Sequence, residues 1–335
     1  MEQALPVVTA MIVVRNEQRY IRTAVRSFLE QDYPAECLEL LIIDGMSSDD
    51  TVQAAHEAVE LCRASGRDIP VRYLENPKLN LAAGWNLGIR EARGEYVVRI
   101  DAHAEADRQM IRKCVGILQT HPDVACAGGR IEAQPLTDKG KIISFVQSSP
   151  FGVGNAKFRY SRESGYVDTV AYGVYRKSIF EKAGYFNEAF QRNQDNDMHG
   201  RIKAHGGKFY LDATVVSLYH PRETLKGMMK QGFGNGKWVI IGYRKSEKKE
   251  GLSLRHMIPL LFLAANIILI IGGIFLPIVR WCFAAMYLAY LVLAVYFALQ
   301  KTKNFAEVLQ WCLAVWLFHV SYGAGSLTQL FRRTK

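Results

Sequence analysis

The sequence predicts an α/β protein with a mixed, mostly parallel sheet between helices, followed by transmembrane helices near its C-terminal end. Two observations support this prediction. In residues 7–101, short β-branched runs alternate with segments of helical periodicity, which is typical of a parallel sheet covered on both faces. In residues 256–330 charged side chains almost disappear, and long apolar runs follow one another.

The elements before the apolar region are assigned from hydrophobic periodicity and turn residues. Strands are predicted at residues 7–14, 38–43, 71–74, 96–100, 124–130, 170–176 and 209–212. Helices are predicted at residues 19–30, 52–62, 81–91, 108–120, 177–183 and 195–205. The turn-rich residues 131–167 are expected to extend the sheet irregularly and to include a mobile loop.

Three apolar segments, at residues 258–279, 281–299 and 308–327, are candidates to cross a membrane. A helix rises ~1.5 Å per residue, so about 20 residues span a hydrocarbon layer of ~30 Å. With three full spans, the basic residues Lys301 and Lys303 would lie opposite Arg332 and Arg333, against the positive-inside tendency. One of the three segments is therefore predicted to be re-entrant or interfacial, and the sequence leaves open which one.

The net charge of +10 does not indicate nucleic-acid binding here, because no basic arm or repeat carries it. Part of the excess precedes the apolar region, at Arg244, Lys245, Lys248, Lys249 and Arg255. Such a cluster favours anionic lipid headgroups and marks a cytoplasmic flank. We expect membrane lipids as partners, and a plasma (inner) membrane location with the soluble domain facing the cytoplasm.

Three parts are predicted along the chain. They are an α/β domain at residues 1–220, an interfacial linker at 221–255 and a membrane region at 256–330. The linker combines apolar side chains with lysines, so it fits either an amphipathic helix on the membrane surface or an ordinary packing helix. Its glycines, Gly232, Gly234 and Gly236, weaken a regular helix and suggest a flexible gate instead.

Polar residues follow three of the predicted strands, at Asn16, Asp44 and Asp101-Ala102-His103. Ligands of open α/β sheets bind beyond the carboxyl ends of the strands, so these side chains are expected at one edge. A spacing of two on extended chain places Asp101 and His103 on one face. A carboxylate and an imidazole can share a divalent cation, and Mn²⁺ or Mg²⁺ would suit a diphosphate substrate.

A second polar segment is Asn193-Gln194-Asp195-Asn196-Asp197. Its acidic side chains suit the start of a helix, where they would complement the helix dipole. They equally suit a general base that takes a proton from a hydroxyl group. The sequence of this segment alone does not distinguish between these two roles.

Taken in order, these segments resemble the inverting family 2 glycosyltransferases, which have the GT-A nucleotide-diphospho-sugar fold. The resemblance covers residues 7–238 of 335. It rests on the Asn16-Glu17 turn, the Asp44-Gly45-Met46-Ser47-Ser48-Asp49-Asp50-Thr51 segment, the Asn80…Asn86-Leu87-Gly88 element, Asp101-Ala102-His103, Gln194-Asp195 and the region from Gln231 to Trp238.

The resemblance implies a metal-dependent transferase that moves a sugar from a nucleotide-diphospho-sugar, expected to be a UDP-sugar. Asp195 is then the catalytic base, Asp101 and His103 hold the metal, and Gln194, Asp197 and Arg201 support the base or the acceptor. The donor would contact Asn16, Glu17, Asp44, Ser47, Asn86, Asp101, Gln231 and Trp238.

This sequence departs from the family pattern at three positions. His103 replaces the second Asp of Asp-x-Asp, Gln194 replaces the acid of Glu-Asp, and Lys237 stands where the Gln-x-x-Arg-Trp motif has Arg. The Asp-x-His form with an apolar tail resembles the subgroup of ExoA-type succinoglycan glucosyltransferases. That subgroup implies a lipid-linked saccharide acceptor in exopolysaccharide or envelope glycan synthesis.

Other functions remain open at this point. The same residues could belong to a transferase with a lipid or protein acceptor, or to a membrane scaffold with a degenerate transferase domain. A sugar nucleotidyltransferase is disfavoured because Arg15-Asn16-Glu17 is not a glycine-rich loop. A transporter is disfavoured because few charges lie in the apolar segments.

Overall fold

The computed structural model describes residues 5–245 and 254–332. Contacts divide this part of the chain into two compact units, which are described separately. The first unit runs up to Ala133 and resumes at Lys157–His220. The second comprises Gln134–Ala156 and the chain from Pro221 onward.

The first unit contains a nine-stranded sheet. Its strands are β1 Val8–Val14, β2 Leu38–Asp44, β3 Val71–Glu75, β4 Tyr96–Asp101, β5 Ala104–Glu105, β6 Val124–Ala133, β7 Gly165–Val167, β8 Gly173–Arg176 and β9 Lys208–Tyr219. Their order in the sheet is β3-β2-β1-β4-β8-β6-β9-β5, and β7 pairs with β9. Strands β1 to β4 are mutually parallel, β6 is parallel to β9, and the remaining pairs are antiparallel. The predicted mixed, mostly parallel sheet is confirmed.

Helices cover both faces of this sheet. They are α1 Ile21–Leu29, α2 Thr51–Ala64, α3 Leu81–Glu91, α4 Met110–Thr120, α7 Ser178–Ala183 and α8 Gln194–Ala204. Alternate side chains of β1 enter different cores: Ile12 packs in one cluster, and Met11 in the cluster on the other face. Burial on both faces explains why the central strands read as continuous apolar runs.

Register brings the polar strand ends together. Val14 of β1 pairs with Asp44 of β2, and Val13 pairs with Asp101 of β4. The loops after β1, β2 and β4 therefore leave the sheet at the same edge, where parallel α/β sheets bind their ligands. This register, rather than sequence proximity, assembles the predicted site residues.

The antiparallel side of the sheet differs from the prediction. β8 begins at Gly173 rather than at residue 170, and β9 runs from Lys208 to Tyr219 instead of ending at residue 212. A register shift between Gly129 and Arg130 of β6 lets β9 continue beside it. Such an irregularity redirects a strand without interrupting it, and it is invisible to periodicity alone.

The second unit is helical. It contains α5 Asp138–Gln147, α6 Pro150–Val153, α9 Leu225–Lys245, α10 Leu254–Phe275, α11 Pro277–Leu299 and α12 Phe305–Phe331. The expectation of an irregular segment at 131–167 was wrong, because α5 forms there and buries Ile142, Ile143 and Val146 against the apolar helices. Thr137 caps α5 by accepting from the Gly140 N–H, and Ser149 caps α6.

α9 is one continuous helix, so the expectation of a flexible glycine gate was also wrong. Gly232 and Gly236 are buried within it. A Cβ at Gly236 would overlap the Tyr322 carbonyl of α12, so glycine is needed for close helix contact rather than for a hinge. Of the basic residues flanking the apolar region, Lys248, Lys249 and Arg333 lie outside the described residues.

The helices α10, α11 and α12 are each long and apolar enough to cross a membrane. The boundary between the first two falls at Leu276, because Pro277 starts α11 as a first-turn proline. All six cysteines lie in the described part of the chain and are free thiols.

Candidate active site

The loops after β1 and β2 are joined by hydrogen bonds. The Asn16 N–H donates to Ser47 Oγ at 3.0 Å, and Asn16 Oδ1 accepts from the Ser48 N–H at 2.8 Å. The Glu17 N–H donates to Thr51 Oγ1 at 2.8 Å. Asn16 has φ 54°, a left-handed conformation that asparagine tolerates better than most residues.

The Asp44 carboxylate is oriented by the same loop. It accepts from the Ser47 N–H at 3.0 Å and from Ser47 Oγ at 2.6 Å, forming a turn closed by its own side chain. Ser47 Oγ in turn accepts from the Asn16 N–H. Asn16, Asp44 and Ser47 thus form one connected, rigid edge of the candidate site.

Asp101 ends β4 and is half-buried at the same edge. One carboxylate oxygen accepts from the Tyr172 hydroxyl at 3.3 Å. Burial raises the pKa of Tyr172 well above its usual value, and the negative charge of the nearby Asp101 adds a smaller increase. This hydroxyl therefore stays protonated. His103, two residues further, lies with its Nδ1 at 3.7 Å from Glu17 Oε1.

Asp101 and His103 offer a carboxylate and an imidazole, two kinds of ligand that a divalent cation shared with a substrate can use. Within the described residues, no group of three or more His, Cys, Asp or Glu side chains could enclose a metal ion. Mg²⁺ and similar ions are commonly bound by one or two protein ligands together with substrate phosphates. A carboxylate next to the non-ligating nitrogen of a histidine is a common orienting contact, and Glu17 lies on the Nδ1 side of His103.

Asp195 lies in the first turn of α8, shortly after Asn193, which has φ 59°. Its Oδ1 accepts from Nη2 of Arg99, a residue of β4 that is only 3% exposed. The Arg99 guanidinium lies over the Trp85 ring, 3.9 Å from its centroid, and is thereby fixed in place. Arg99 connects the metal-side strand to the helix that carries the predicted base.

Two opposing effects act on the Asp195 carboxyl group. Dense surrounding protein raises its pKa above the usual range, whereas the Arg99 charge lowers it, and the net change in pKa is upward. The side chain remains 40% exposed, so it is accessible from the cleft. An accessible carboxylate with a raised pKa is a better proton acceptor than an ordinary surface aspartate.

The neighbours of Asp195 on α8 have different environments. Asp197 is buried and pairs with Arg201 at 2.9 Å, and Arg201 also donates to the Tyr185 carbonyl at 2.9 Å. These two residues fix the α7–α8 connection. Gln194 is 6% exposed, and its Nε2 has no hydrogen-bond acceptor among the described residues. A buried, unsatisfied donor beside the base is costly unless a ligand accepts from it.

The remaining predicted donor contacts lie on the helices α3 and α9. Asn86 is buried, with Nδ2 donating to the Phe186 carbonyl at 2.8 Å and Oδ1 accepting from the Phe186 N–H at 2.8 Å. Asn86 thus anchors the loop that contains Phe186, and its contact with the donor stays a prediction. Gln231 and Trp238 lie in the second unit on α9, where Gln231 Oε1 accepts from Gln147 at 3.0 Å.

Sequence reasoning missed the roles of Arg99, Trp85 and Tyr172. Arg99 carried a detectable signal, because an arginine in the middle of a buried apolar strand needs a charged partner. That signal does not identify the partner, which is 96 residues away. Tyr172 and Trp85 look like ordinary core aromatics, and only the fold places them beside the site.

Comparison with known proteins gives the class. The model of Glycosyl transferase family 2 matches residues 9–184, and the chain belongs to this family. The match spans the loops of Asn16, Asp44 and Asp101 described above. The chain is therefore a glycosyltransferase, and the predicted family membership and transferase activity are confirmed.

The particular relatives are more distant. The chain is 27% identical over 274 residues to the dolichyl N-acetyl-α-D-glucosaminyl phosphate 3-β-D-2,3-diacetamido-2,3-dideoxy-β-D-glucuronosyltransferase of Methanococcus voltae, covering 80% of this chain and 82% of that one. It is 26% identical over 330 residues to the succinoglycan biosynthesis protein ExoA of Rhizobium meliloti (strain 1021), covering 95% and 94%. The predicted likeness to ExoA-type proteins is confirmed.

Among solved structures, the mannosyltransferase PcManGT from Pyrobaculum calidifontis, in complex with GDP-Man and Mn²⁺, superposes with a TM-score of 0.65. The sequences are 18% identical, and the match covers 97% of this chain and 87% of that one. The likeness establishes the fold, and the predicted GT-A architecture is confirmed. The three apolar helices mark the chain as a membrane protein.

Proposed function

We propose that the protein is an inverting, metal-dependent glycosyltransferase that moves a sugar from a nucleotide-diphospho-sugar, a UDP-sugar in the first instance, to a lipid-linked saccharide. The Arg99–Asp195 pair is the observation that supports this most directly. It holds an accessible carboxylate, with a raised pKa, on a helix tied to the strand that bears the proposed metal ligand Asp101.

The nucleotide end of the donor would lie on the edge formed by Asn16, Glu17, Asp44 and Ser47. The hydrogen-bonded loops fix the Asp44 carboxylate as an acceptor for polar base or ribose groups. Pre-organised acceptors of this kind bind without a further ordering cost.

The diphosphate would lie next to Asp101 and His103, which would hold Mn²⁺ or Mg²⁺. A divalent cation there supplies positive charge against the departing diphosphate. This proposal is supported by the half-buried Asp101, by the Glu17 contact to His103 and by the Mn²⁺ in the structural relative.

The transfer itself would be a single displacement. The Asp195 carboxylate takes the proton of an acceptor hydroxyl, and the hydroxyl oxygen bonds to the anomeric carbon as the bond to the diphosphate breaks. The electron pair of that bond leaves with the diphosphate. Arg99 orients Asp195, and Gln194 Nε2 would donate a hydrogen bond to an oxygen of the acceptor substrate. An α-linked donor would give a β-linked product.

The lipid-linked acceptor is proposed from two features. The apolar helices place the protein in a membrane, and the Methanococcus relative is named for transfer to a dolichyl-phosphate-linked sugar. The ExoA relative supports exopolysaccharide or envelope glycan synthesis as the setting. An inner-membrane location with the catalytic domain facing the cytoplasm would give access to nucleotide-sugars.

A transfer assay tests the proposal. Membranes containing the full chain are incubated with radiolabelled UDP- and GDP-sugars, extracted lipid-linked saccharides and Mn²⁺. We expect label in the organic-extractable fraction with one donor, and a requirement for the divalent ion. Membranes containing Asp195→Asn are the matched control. Failure of all donors to label lipid, in membranes where the chain is folded and abundant, would overturn the proposal.

A further inference from the structure

The three apolar helices of the second unit are not equivalent. In the most apolar stretch of α12, 44% of the residues are buried, compared with 22% in α10 and 11% in α11. α12 also carries polar side chains along its length, namely Glu307, Gln310, His319 and Gln329. A helix surrounded by lipid would be expected to show the exposed, uniformly apolar surface of α10 and α11.

One half of α12 is packed directly against α9. Along α9, a Cβ at Gly232 would overlap Ser321 Oγ, and a Cβ at Gly236 would overlap the Tyr322 carbonyl of α12. One turn further, the backbone nitrogen of Lys237 lies 3.0 Å from where a Cβ of Gly325 would be. Further along, Nη1 of Arg244 donates to the Gln329 carbonyl at 3.0 Å. The two helices therefore run side by side in the same direction and lie at the same depth relative to a membrane.

α9 cannot lie inside the hydrocarbon layer. It carries Lys226, Lys230, Lys237 and Arg244, and Lys226 and Lys230 are exposed. Cations in the middle of a span are strongly disfavoured, whereas the same cations suit a helix that lies among lipid headgroups. The half of α12 beside α9 is therefore held at the membrane surface.

The other end of α12 is also tied to a polar helix. Lys141 of α5 pairs with Glu307 of α12 at 2.8 Å, and both side chains are partly exposed. An ion pair between solvent-accessible groups is stable at a lipid–water boundary and unfavourable in hydrocarbon. Both ends of α12 thus lie at the same depth as a charged helix of this unit, α5 at one end and α9 at the other.

α12 meets α10 in the half remote from Leu276, and it meets α11 near the middle of that helix. His319 Nδ1 and the Tyr290 hydroxyl share a hydrogen bond of 2.9 Å, and Trp316 Nε1 donates to the Tyr287 hydroxyl at 3.2 Å. On α10 the contact with Gly323 is made by Pro259 and Leu263, near the start of the helix. The halves next to Leu276 instead expose large apolar side chains, including Ile268, Ile271, Ile274, Phe275, Ile278 and Trp281.

We propose that α10 and α11 form the two membrane spans, and that α12 lies in the lipid–water interface on the same side as α9. α10 and α11 have 22 and 23 residues, about 33 Å each at ~1.5 Å per residue, enough to cross the bilayer and return. The exposed stripe Phe305, Leu309 and Leu313 of α12 would face the acyl chains.

This arrangement resolves the charge conflict noted in the sequence. Lys245, Lys301, Lys303 and Arg332 all fall on one side of the bilayer, as the positive-inside tendency requires. Arg280 alone of the basic residues described in these helices lies near the far turn, where its Nε donates to the Gly273 carbonyl at 2.7 Å. The proposal concerns only the second unit and does not depend on the chemistry of Asp195.

Thiol labelling in sealed vesicles of known orientation tests it. Single cysteines are introduced as Lys248→Cys before α10, Leu276→Cys in the turn and Lys335→Cys after α12, in a full chain whose native cysteines are replaced. A membrane-impermeant maleimide should label Lys248→Cys and Lys335→Cys from one face, and Leu276→Cys from the other. Carbonate extraction confirms that each variant is inserted.

Two results would overturn the proposal. Labelling of Lys335→Cys and Leu276→Cys from the same face would make α12 a third span. Labelling of all three from one face would mean that α10 and α11 do not cross. An epitope tag appended after Lys335 in the chain with its native cysteines gives an independent reading, because protease should remove the tag only from the face of Lys248. A transfer assay is not part of either readout, so loss of the proposed activity would leave this test intact.

Discussion

The end of β4 and the start of α8 each present an aspartate to the candidate site, but they hold it in different ways. Asp101 is placed by strand register and accepts a hydrogen bond from Tyr172 at 3.3 Å, leaving it half-exposed. Asp195 is held by a buried arginine that is itself stacked on Trp85. A cation ligand needs an open face, whereas a base needs a fixed direction and a tuned pKa.

The two aspartates are also coupled by one strand. Arg99 and Asp101 are two residues apart on β4, so both side chains lie on the same face of the sheet. The strand therefore supplies the proposed metal ligand and the partner of the proposed base together. The comparison predicts that changes at the two positions affect different steps, base chemistry at Asp195 and donor binding at Asp101.

The largest effect is expected for Asp195→Asn. The substitution preserves size but removes the proton acceptor, so the transfer rate should fall by about 10²–10⁴-fold. Donor affinity, measured by calorimetry with a nucleotide-sugar and Mn²⁺, should change little. A comparable loss of donor binding would show that Asp195 belongs to the donor site, and the distinction between the two aspartates would fail.

Asp101→Ala should produce the opposite pattern. Removing a charged ligand should weaken Mn²⁺-dependent nucleotide binding by roughly 2–3 kcal/mol, on the order of 100-fold. His103→Asp, which restores the Asp-x-Asp pattern typical of the family, is the matched control and should keep binding. Undiminished nucleotide affinity of Asp101→Ala in the presence of Mn²⁺ would contradict the metal assignment.

Arg99→Met should change the pH profile. Desolvation already raises the pKa of Asp195, and Arg99 opposes that rise. Without Arg99 the pKa of Asp195 rises further, and because the base must be ionised, the acid limb of kcat/KM should move to higher pH. At a pH below the pKa of Asp195 in both the original protein and the variant, the ionised fraction of Asp195 is proportional to its acid dissociation constant. Activity should therefore fall about tenfold for each tenfold decrease in that constant.

Arg99→Lys is the control for that experiment, since it keeps a charge next to Asp195 and should return the acid limb towards its original position. A merely structural role for Arg99 predicts lower activity at every pH with an unchanged profile. That outcome would separate folding from tuning of the base.

The smallest effect is expected at Gln194. Replacing it with Met removes the buried Nε2 donor while keeping the volume, so KM for the acceptor should rise by a few fold, on the order of 1 kcal/mol, with donor binding unchanged. Gln194→Glu, which restores the acid typical of the family, tests whether a donor or only bulk is required. A KM insensitive to both substitutions would assign Gln194 to packing.

The sequence by itself determined the sheet, its alternation with helices and the edge where Asn16, Asp44 and Asp101 meet. These features follow from local periodicity and from the rule that parallel strands end at one edge. The apolar composition also determined the three long apolar helices, although not their depth in a membrane. Composition indicates that a helix is apolar enough to enter a membrane, but it does not indicate which elements pack against that helix.

Only the tertiary structure decided the rest. It turned residues 134–156 from an expected loop into part of a helical unit, because α5 buries its apolar face against helices that lie far away in sequence. It joined Asn86 to Phe186 and Arg99 to Asp195 by hydrogen bonds between residues that are 100 and 96 positions apart in the sequence. It made α9 a continuous helix, since its glycines meet the backbone of α12. Each of these outcomes depends on long-range partners, which local sequence patterns do not encode.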